Sequence, residues 1–210
     1  MSCVLTCKDR VKAAKYAVNA LGCSIIILDD GFQHRRIARD LDIVLVDSEL
    51  CFGNEKLLPA GPLREGKEAF NRIDRLVVVN KSDNCDRAAK YAKILGKKLE
   101  CDTMVCSTEP DYIYNIVSNE RLASGEAITA MCAIGQPEQF FRFLEGKYEI
   151  IKKITFDDHY IYKSGDLKNI KGIIVTTEKD AVKLSSFKRK NIYAMRLKTD
   201  IDIDSLIKEN

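Results

Sequence analysis

The 210-residue chain contains no stretch of about 18 consecutive apolar residues, so no segment is expected to span a membrane. Its opening, Met1-Ser2-Cys3-Val4-Leu5-Thr6-Cys7-Lys8, lacks both the basic n-region and the long apolar h-region of a secretory signal. Together these two absences predict a cytoplasmic protein. Only two histidines, His34 and His159, accompany eight cysteines, and no Cys-x-x-Cys pair occurs. Cys3/Cys7 and Cys101/Cys106 are spaced wrongly for the common zinc patterns. A structural metal site is therefore not expected, and the cysteines read as reduced thiols behaving as small hydrophobes. An excess of charge is missing too. Lys+Arg 34 against Asp+Glu 31 leaves a formal net charge of +3, too balanced to argue for nucleic acid.

What is present is ordinary in bulk and unusual in one place. A hydrophobic fraction of 46% with 31% charged residues suits a globular chain with a real core, either one large domain or two small ones. The unusual place is Ser24-Ile25-Ile26-Ile27-Leu28-Asp29-Asp30-Gly31-Phe32-Gln33-His34. Its apolar run, bounded by turn residues, predicts a strand buried on both faces of a parallel sheet. Ligands of such sheets bind outside the carboxyl ends of the strands. Asp29 and Asp30 would sit there, where an acid of the Walker B type helps hold the metal of a phosphoryl-transfer site. The plainer reading is that the two acids cap the strand and solvate a turn.

In chain order, Asp9 can cap a helix with Val11, Ala14, Val18 and Leu21 at helical spacing, and Gly22 is placed to end it. Strands are predicted at 24–28, 42–47 and 75–80, and a helix over about 83–95 ended by Gly96. The loop from Ser48 to Lys67 carries Gly53, Pro59, Gly61, Pro62 and Gly66. Structureless loops longer than about 12 residues are usually functional. Residues 98–121 are weakly patterned and read as a hairpin-like extended connector around Glu109-Pro110-Asp111. Strand–helix alternation restarts at Ala127. Strands are predicted at 127–134, 149–156, 172–176 and 191–197, with helices opening at Pro137 and Glu178. The expected fold is α/β: the remnant of a P-loop-NTPase-like parallel sheet over 1–97, the extended connector 98–121, and a smaller α/β domain over 122–210.

Six words occur in order: Asp29-Asp30-Gly31-Phe32-Gln33-His34, Phe52-Gly53-Asn54, Leu57-Leu58-Pro59-Ala60-Gly61-Pro62-Leu63-Arg64-Glu65, Ile134-Gly135-Gln136-Pro137-Glu138-Gln139-Phe140-Phe141, Phe156-Asp157-Asp158-His159-Tyr160 and Thr176-Thr177-Glu178-Lys179-Asp180-Ala181-Val182-Lys183. Through nearly the whole chain this set closely resembles tetraacyldisaccharide 4'-kinase, the lipid A 4'-kinase family of Gram-negative bacteria. The resemblance implies ATP- and Mg2+-dependent phosphorylation of the 4'-hydroxyl of a lipid A disaccharide precursor, at the cytoplasmic face of the inner membrane and on the way to lipopolysaccharide.

Carried over residue by residue, the resemblance implies that Asp29 and Asp30 hold magnesium, with Asp30 also counted as catalytic. Gln33, His34, Arg64 and Glu65 would line the substrate mouth; an amide, an imidazole and a bidentate guanidinium all suit phosphate or sugar oxygens. For His34 the alternative is a solvated turn histidine, and for the Arg64-Glu65 pair an exposed salt bridge. Gly66 stands where the family usually has proline. His159 would pair with a carboxylate from the N-terminal part of the family to activate the sugar hydroxyl; otherwise it caps a turn. Thr177 is placed to cap a helix, and Lys179 either reaches a nucleotide phosphate or pairs with Asp180.

The family's phosphate cradle is missing from these residues. No G-x-x-x-x-G-K-[ST] phosphate cradle occurs. Gly61-Pro62-Leu63-Arg64-Glu65-Gly66-Lys67-Glu68 comes near, but Glu68 replaces the metal-binding hydroxyl and no strand precedes Gly61. The family's cradle, its membrane-associating helix and the carboxylate partner of His159 precede the first family-like residues here, Lys8-Asp9-Arg10-Val11. The expectation is a truncated or split kinase, inactive alone and completed by a separate N-terminal polypeptide. The alternatives are an inactive fragment retaining lipid or nucleotide binding, and an unrelated α/β binding protein.

Overall fold

A computed structural model describes residues 3–81 and 85–208. The chain is mixed α/β, in two compact units. Unit 1 comprises Met1–Val79, Asp86–Val105 and Asp202–Asn210; unit 2 comprises Asn80–Cys85 and Cys106–Ile201.

Unit 1 opens with α1 (Arg10–Asn19), whose N-cap Asp9 accepts hydrogen bonds from the backbone of Val11 and Lys12, as the sequence predicts. Strands β1 (Ile43–Asp47) and β2 (Arg75–Asn80) pair in parallel, Ile43 opposite Arg75 through Asp47 opposite Val79. Helix α2 (Cys85–Leu99) follows and packs Ala88, Ala92 and Leu95 onto Val46, Leu76 and Val78. Gly96 lies inside this helix instead of ending it. A Cβ there would come within 2.9 Å of Thr103, so the glycine serves close approach to the next strand. Arg75 is buried, and its guanidinium donates to the Asp102 carboxylate at 2.7 Å and to the Lys208 carbonyl at 3.0 Å. Short helix α6 (Ile203–Ile207), not expected from the sequence, brings the chain end back to this unit.

The run Ser24–Leu28 departs from expectation. It forms no strand, and Ile25 and Ile27 are 77% and 90% exposed. A two-face-buried strand needs neighbours on both edges and cover on both faces. Unit 1 supplies neither to this run.

Residues 98–121 also differ from the hairpin-like connector. They contain one 14-residue strand, β3 (Asp102–Asn115). Its partner β7 (Ile192–Asp200) runs antiparallel to it from Ser107/Asp200 to Asn115/Tyr193. The turn-type sequence Glu109-Pro110-Asp111 is absorbed as a register irregularity between Pro110 and Ile113.

In unit 2 the order is β3-β7-β6-β4-β5, with β4 (Ala127–Cys132), β5 (Glu149–Thr155) and β6 (Ile173–Thr177). β4 pairs in parallel with both β5 and β6, and β6 with β7. β4 shows why continuous apolar runs specify central strands. Ile128, Ala130 and Cys132 enter one core with Phe140, Phe141 and Leu144 of α3 (Pro137–Leu144). Met131 and Ala133 enter another with Leu167 of α4 (Ser164–Leu167) and Leu184 of α5 (Glu178–Leu184). Both faces are covered, so both side-chain sets are apolar.

Phe140, 2% exposed, is the aromatic anchor of the first of these cores. Phe140→Ala is expected to destabilise unit 2 by about 3–5 kcal/mol, seen as a lower urea midpoint by circular dichroism with an unchanged slope.

Candidate functional site

Two groups of polar side chains gather the residues singled out from the sequence, one in each unit, and each is described within its own unit.

In unit 1 the turn after Leu28 is bent sharply. Asp30 takes a left-handed backbone, φ 49°, which aspartate tolerates better than most residues. A Cβ on Gly31 would lie 2.5 Å from Leu28 Cβ, so only glycine fits there. Arg10 of α1 donates to the carbonyls of Asp29 and Asp30 at 3.3 and 3.1 Å, fixing the turn against the helix. From the long loop, Arg64 Nη1 reaches Asp30 Oδ2 at 3.0 Å and Gln33 Oε1 at 3.5 Å. Asp30, Gln33 and Arg64 therefore meet at this turn. Glu65 turns away from Arg64 and pairs with Arg72, whose guanidinium also lies 4.5 Å over the Phe32 ring. His34 is partly exposed, but its Nε2 is buried with no partner among the described residues. Its main chain closes the turn, the amide donating to Gly31 at 2.8 Å and the carbonyl accepting from Arg39 at 2.9 Å.

The long loop is held at two points. The Glu55 carboxylate receives the ammonium groups of both Lys67 and Lys98, and these hydrogen bonds pull its carboxyl down to about 2. Gly61 packs so closely on Asn54 and Lys56 that a Cβ would meet Asn54 Oδ1 at 2.1 Å. The loop thus presents Arg64 from a fixed frame. Asp29 and Asp30 offer hard carboxylate oxygens, the donor class Mg2+ takes while keeping waters and substrate phosphates as its other ligands. Asp30 is the carboxylate that already receives a positive charge, from Arg64.

In unit 2 the carboxyl ends of three parallel strands carry the second group. Gly135 follows β4, Asp158 and His159 follow β5, and Lys179 follows β6. Asp158 is the hub. Its Oδ1 accepts from Lys179 Nζ at 3.1 Å and from the His159 amide at 2.9 Å, and its Oδ2 lies 3.6 Å from His159 Nε2. His159 is held in a left-handed conformation, φ 64°. Next to it Phe156 stacks on Tyr160 at 4.6 Å, giving the turn an aromatic base. A Cβ built on Gly135 would be 3.8 Å from Asp158 Oδ2, so the β4 turn approaches the same carboxylate.

Beneath this edge lies Asp180, fully buried. It accepts from the Ala133 amide at 2.9 Å, the Thr177 hydroxyl at 3.0 Å and Lys183 Nζ at 3.2 Å. Thr177 is the N-cap of α5, as predicted, its Oγ1 accepting from the Asp180 amide at 3.2 Å. Lys179 does not pair with Asp180: it pairs with Asp158, and Lys183 pairs with Asp180. Spacing could not have revealed this, because Lys179 and Asp158 are 21 positions apart and meet only through the sheet. Asp158, Asp180 and Arg10 are the contributors that the sequence reading did not single out as site residues.

A family model described as tetraacyldisaccharide-1-P 4'-kinase matches residues 2–209. The protein named tetraacyldisaccharide 4'-kinase in Colwellia psychrerythraea is 37% identical over 192 residues, 87% of this chain and 53% of that one. Its namesake in Desulfotalea psychrophila is 33% identical over 222 residues, covering 97% of this chain and 63% of that one. Among solved structures, LpxK from Aquifex aeolicus in complex with ATP matches with a TM-score of 0.65 and 27% identity, covering 95% of this chain and 60% of that one. The chain thus spans between about half and just over three-fifths of the length of these relatives.

The hydrogen bond from Lys179, with the charge of His159 nearby, holds the Asp158 carboxyl below its ordinary value of 3.8. A depressed folded value means that the pairing contributes above that pH and is lost as pH falls below it. Carbon-13 NMR of the Asp158 carboxyl should show a midpoint under 3.8 that rises in Lys179→Met; no change in that variant would exclude the pair.

Proposed function

The chain belongs to the tetraacyldisaccharide-1-P 4'-kinase family, and from that premise we propose that it forms the acceptor-binding and acid-bearing part of a lipid A 4'-kinase. The reaction is transfer of the γ-phosphoryl group of ATP to the 4'-hydroxyl of a tetraacyldisaccharide 1-phosphate. The supporting observation is that the polar side chains of the six family-like words stand at turns that follow apolar segments and at strand ends, where Asp30 meets Arg64, Asp158 meets Lys179 and Asp180 meets the Ala133 amide.

Each group has a task in this reading. Asp29 and Asp30 hold Mg2+, which when bound neutralises charge on the transferring phosphoryl group. Arg64 and Gln33 bind phosphate and sugar oxygens, and Arg64 exchanges its contact with Asp30 for a substrate phosphate. Glu65 and His34 shape that mouth, Glu65 by fixing Arg72. His159 acts on the proton of the sugar hydroxyl by orienting a carboxylate base supplied from the part of the relatives that this chain does not span. Lys179, which shares Asp158 with His159, meets an incoming nucleotide phosphate, and Thr177 caps the helix that carries it. The acylated substrate places the working protein peripherally at the cytoplasmic membrane face; among the described residues no helix is long and apolar enough to cross a membrane.

These 210 residues contain no phosphate cradle, so the working enzyme is completed by further polypeptide, such as a separate N-terminal kinase segment. Losing a single preorganised donor costs about 10²–10³ in rate. The chain alone should therefore not turn over, and joining a family N-terminal segment ahead of Lys8 should restore transfer of labelled phosphate to the disaccharide. In that fusion Asp30→Ala should weaken metal-dependent turnover. His159→Ala should lower kcat by about 10²-fold or more while leaving nucleotide affinity nearly unchanged. Steady turnover by the chain alone would overturn the cradle argument. An active fusion indifferent to His159→Ala would make that histidine a turn residue. Binding of lipid or nucleotide by a fusion with no turnover would support the alternative of an inactive binding fragment.

A further inference from the structure

We infer that Arg121 and Arg196, gathered around Tyr112 at the carboxyl edge of unit 2, form a binding site for a phosphate monoester. Neither arginine has a task in the kinase reading, and the site does not depend on it.

The backbone brings these residues together. Pro110 lies opposite Leu197 and Ile113 opposite Met195, so Asp111 and Tyr112 together face Arg196 alone. A bulge of this kind re-aims a side chain. Here Tyr112 meets the Arg196 guanidinium, whose Nη1 donates to Tyr112 Oη at 3.4 Å. Arg121 arrives at the other edge of β3, where its backbone forms an antiparallel bridge with Tyr114. Its guanidinium lies 4.1 Å over the centroid of the Tyr112 ring, and that of Arg196 lies 5.8 Å from the same point. In the pairing of β6 with β7, Thr177 stands opposite Met195, so Arg196 comes level with Glu178, the first residue of α5. The next residue, Lys179, holds Asp158 beside His159. The two guanidiniums therefore sit on the edge outside which ligands of α/β sheets bind.

Charge selects the ligand. One guanidinium is enough to cover a tyrosine ring. A second brings like charges together in the open, and an anion relieves their repulsion. Glu178 supplies one negative charge near Arg196 and accepts from Tyr114 Oη at 3.2 Å. A guanidinium stacked face-on keeps its N–H edge free. Arg121 is exposed and donates no hydrogen bond to any described residue. Two such edges and a phenolic hydroxyl match the three terminal oxygens of a phosphate monoester, which carries a charge of about −1.5 to −2 at pH 7. A carboxylate, with two oxygens and a single charge, fills the site less well. Sugar phosphates and nucleoside monophosphates both present the group.

Isothermal titration of the full 210-residue chain with glucosamine 1-phosphate and, separately, adenosine 5'-monophosphate tests the site and distinguishes the two sources. Saturable binding of at least one monoester is expected, with glucosamine or adenosine itself bound at least about 10-fold more weakly, the scale of a charge-assisted hydrogen bond. Arg121→Gln and Arg196→Gln, at exposed positions, should each leave the circular dichroism unchanged and weaken that binding by about 10-fold or more. Arg121→Lys keeps the charge without the planar fork and should not restore it. Lys198→Gln, two positions further along β7, should leave binding unchanged. No saturable binding of either monoester would overturn the inference. So would sulfate bound as tightly as the monoester, or binding indifferent to both glutamine variants. No phosphoryl transfer is read, so the kinase reading stands or falls separately.

Discussion

A buried carboxylate ties together the strand ends that carry the second group of polar side chains. Asp180, with no exposure, accepts hydrogen bonds from the backbone just past β4, from the N-cap of α5 and from Lys183 one turn on. A charge taken out of water persists only where its lone pairs are met and a counter-charge lies close. Those conditions tie the ends of β4 and β6 to the first turn of α5. From that frame Lys179 projects to Asp158, and Asp158 in turn positions His159. The same carboxylate lies near Cys132, whose thiol is pushed up to about 12, chiefly by burial and then by that charge. Cys132 is thus a packing residue and not a nucleophile.

Unit 1 solves a different problem. Its acids stand on an exposed turn, and nothing buried fixes them. The left-handed backbone at Asp30, the glycine that follows and the Arg10 contacts to two carbonyls set the turn instead. Ion pairs this exposed contribute little to stability. The Arg64–Asp30 contact is such a pair, and it does not by itself hold the turn. The buried and paired Arg75, by contrast, is structural, locking β2 to Asp102 and to the returning chain end.

How much was legible in the sequence depended on how local the cause was. Asp9 and Thr177 cap their helices as read, since a cap is settled within three residues. Strands β2, β4 and β6 follow from continuous apolar runs. The run at 24–28 has the same pattern and no strand, because pattern records what a segment would bury, whereas pairing depends on what surrounds it. Gly96 was misread as a helix end because its cause, the approach of Thr103, is tertiary. Pro110 suggested a turn, yet the antiparallel ladder with β7 absorbs it as an irregularity. The candidate site divides along the same line. Asp29, Asp30, Gln33, Arg64 and His159 are candidates from the family-like words, but the pairings Lys179–Asp158 and Glu65–Arg72 depend on the folded chain, and Asp180 has no local signal of its burial.

The central claim is that Asp180 fixes the carboxyl edge on which His159 and Lys179 are carried. Native-state hydrogen exchange in Asp180→Ala tests it most directly. Removing the acceptor leaves the Ala133 N–H buried and unmet, at a cost of about 1–3 kcal/mol. Exchange at Ala133 and across Thr177–Ala181 should therefore accelerate by about 5- to 150-fold, with the amides of β1 and β2 unchanged. Undiminished protection at Ala133 in that variant would contradict the account, and the edge would then be held by apolar packing alone.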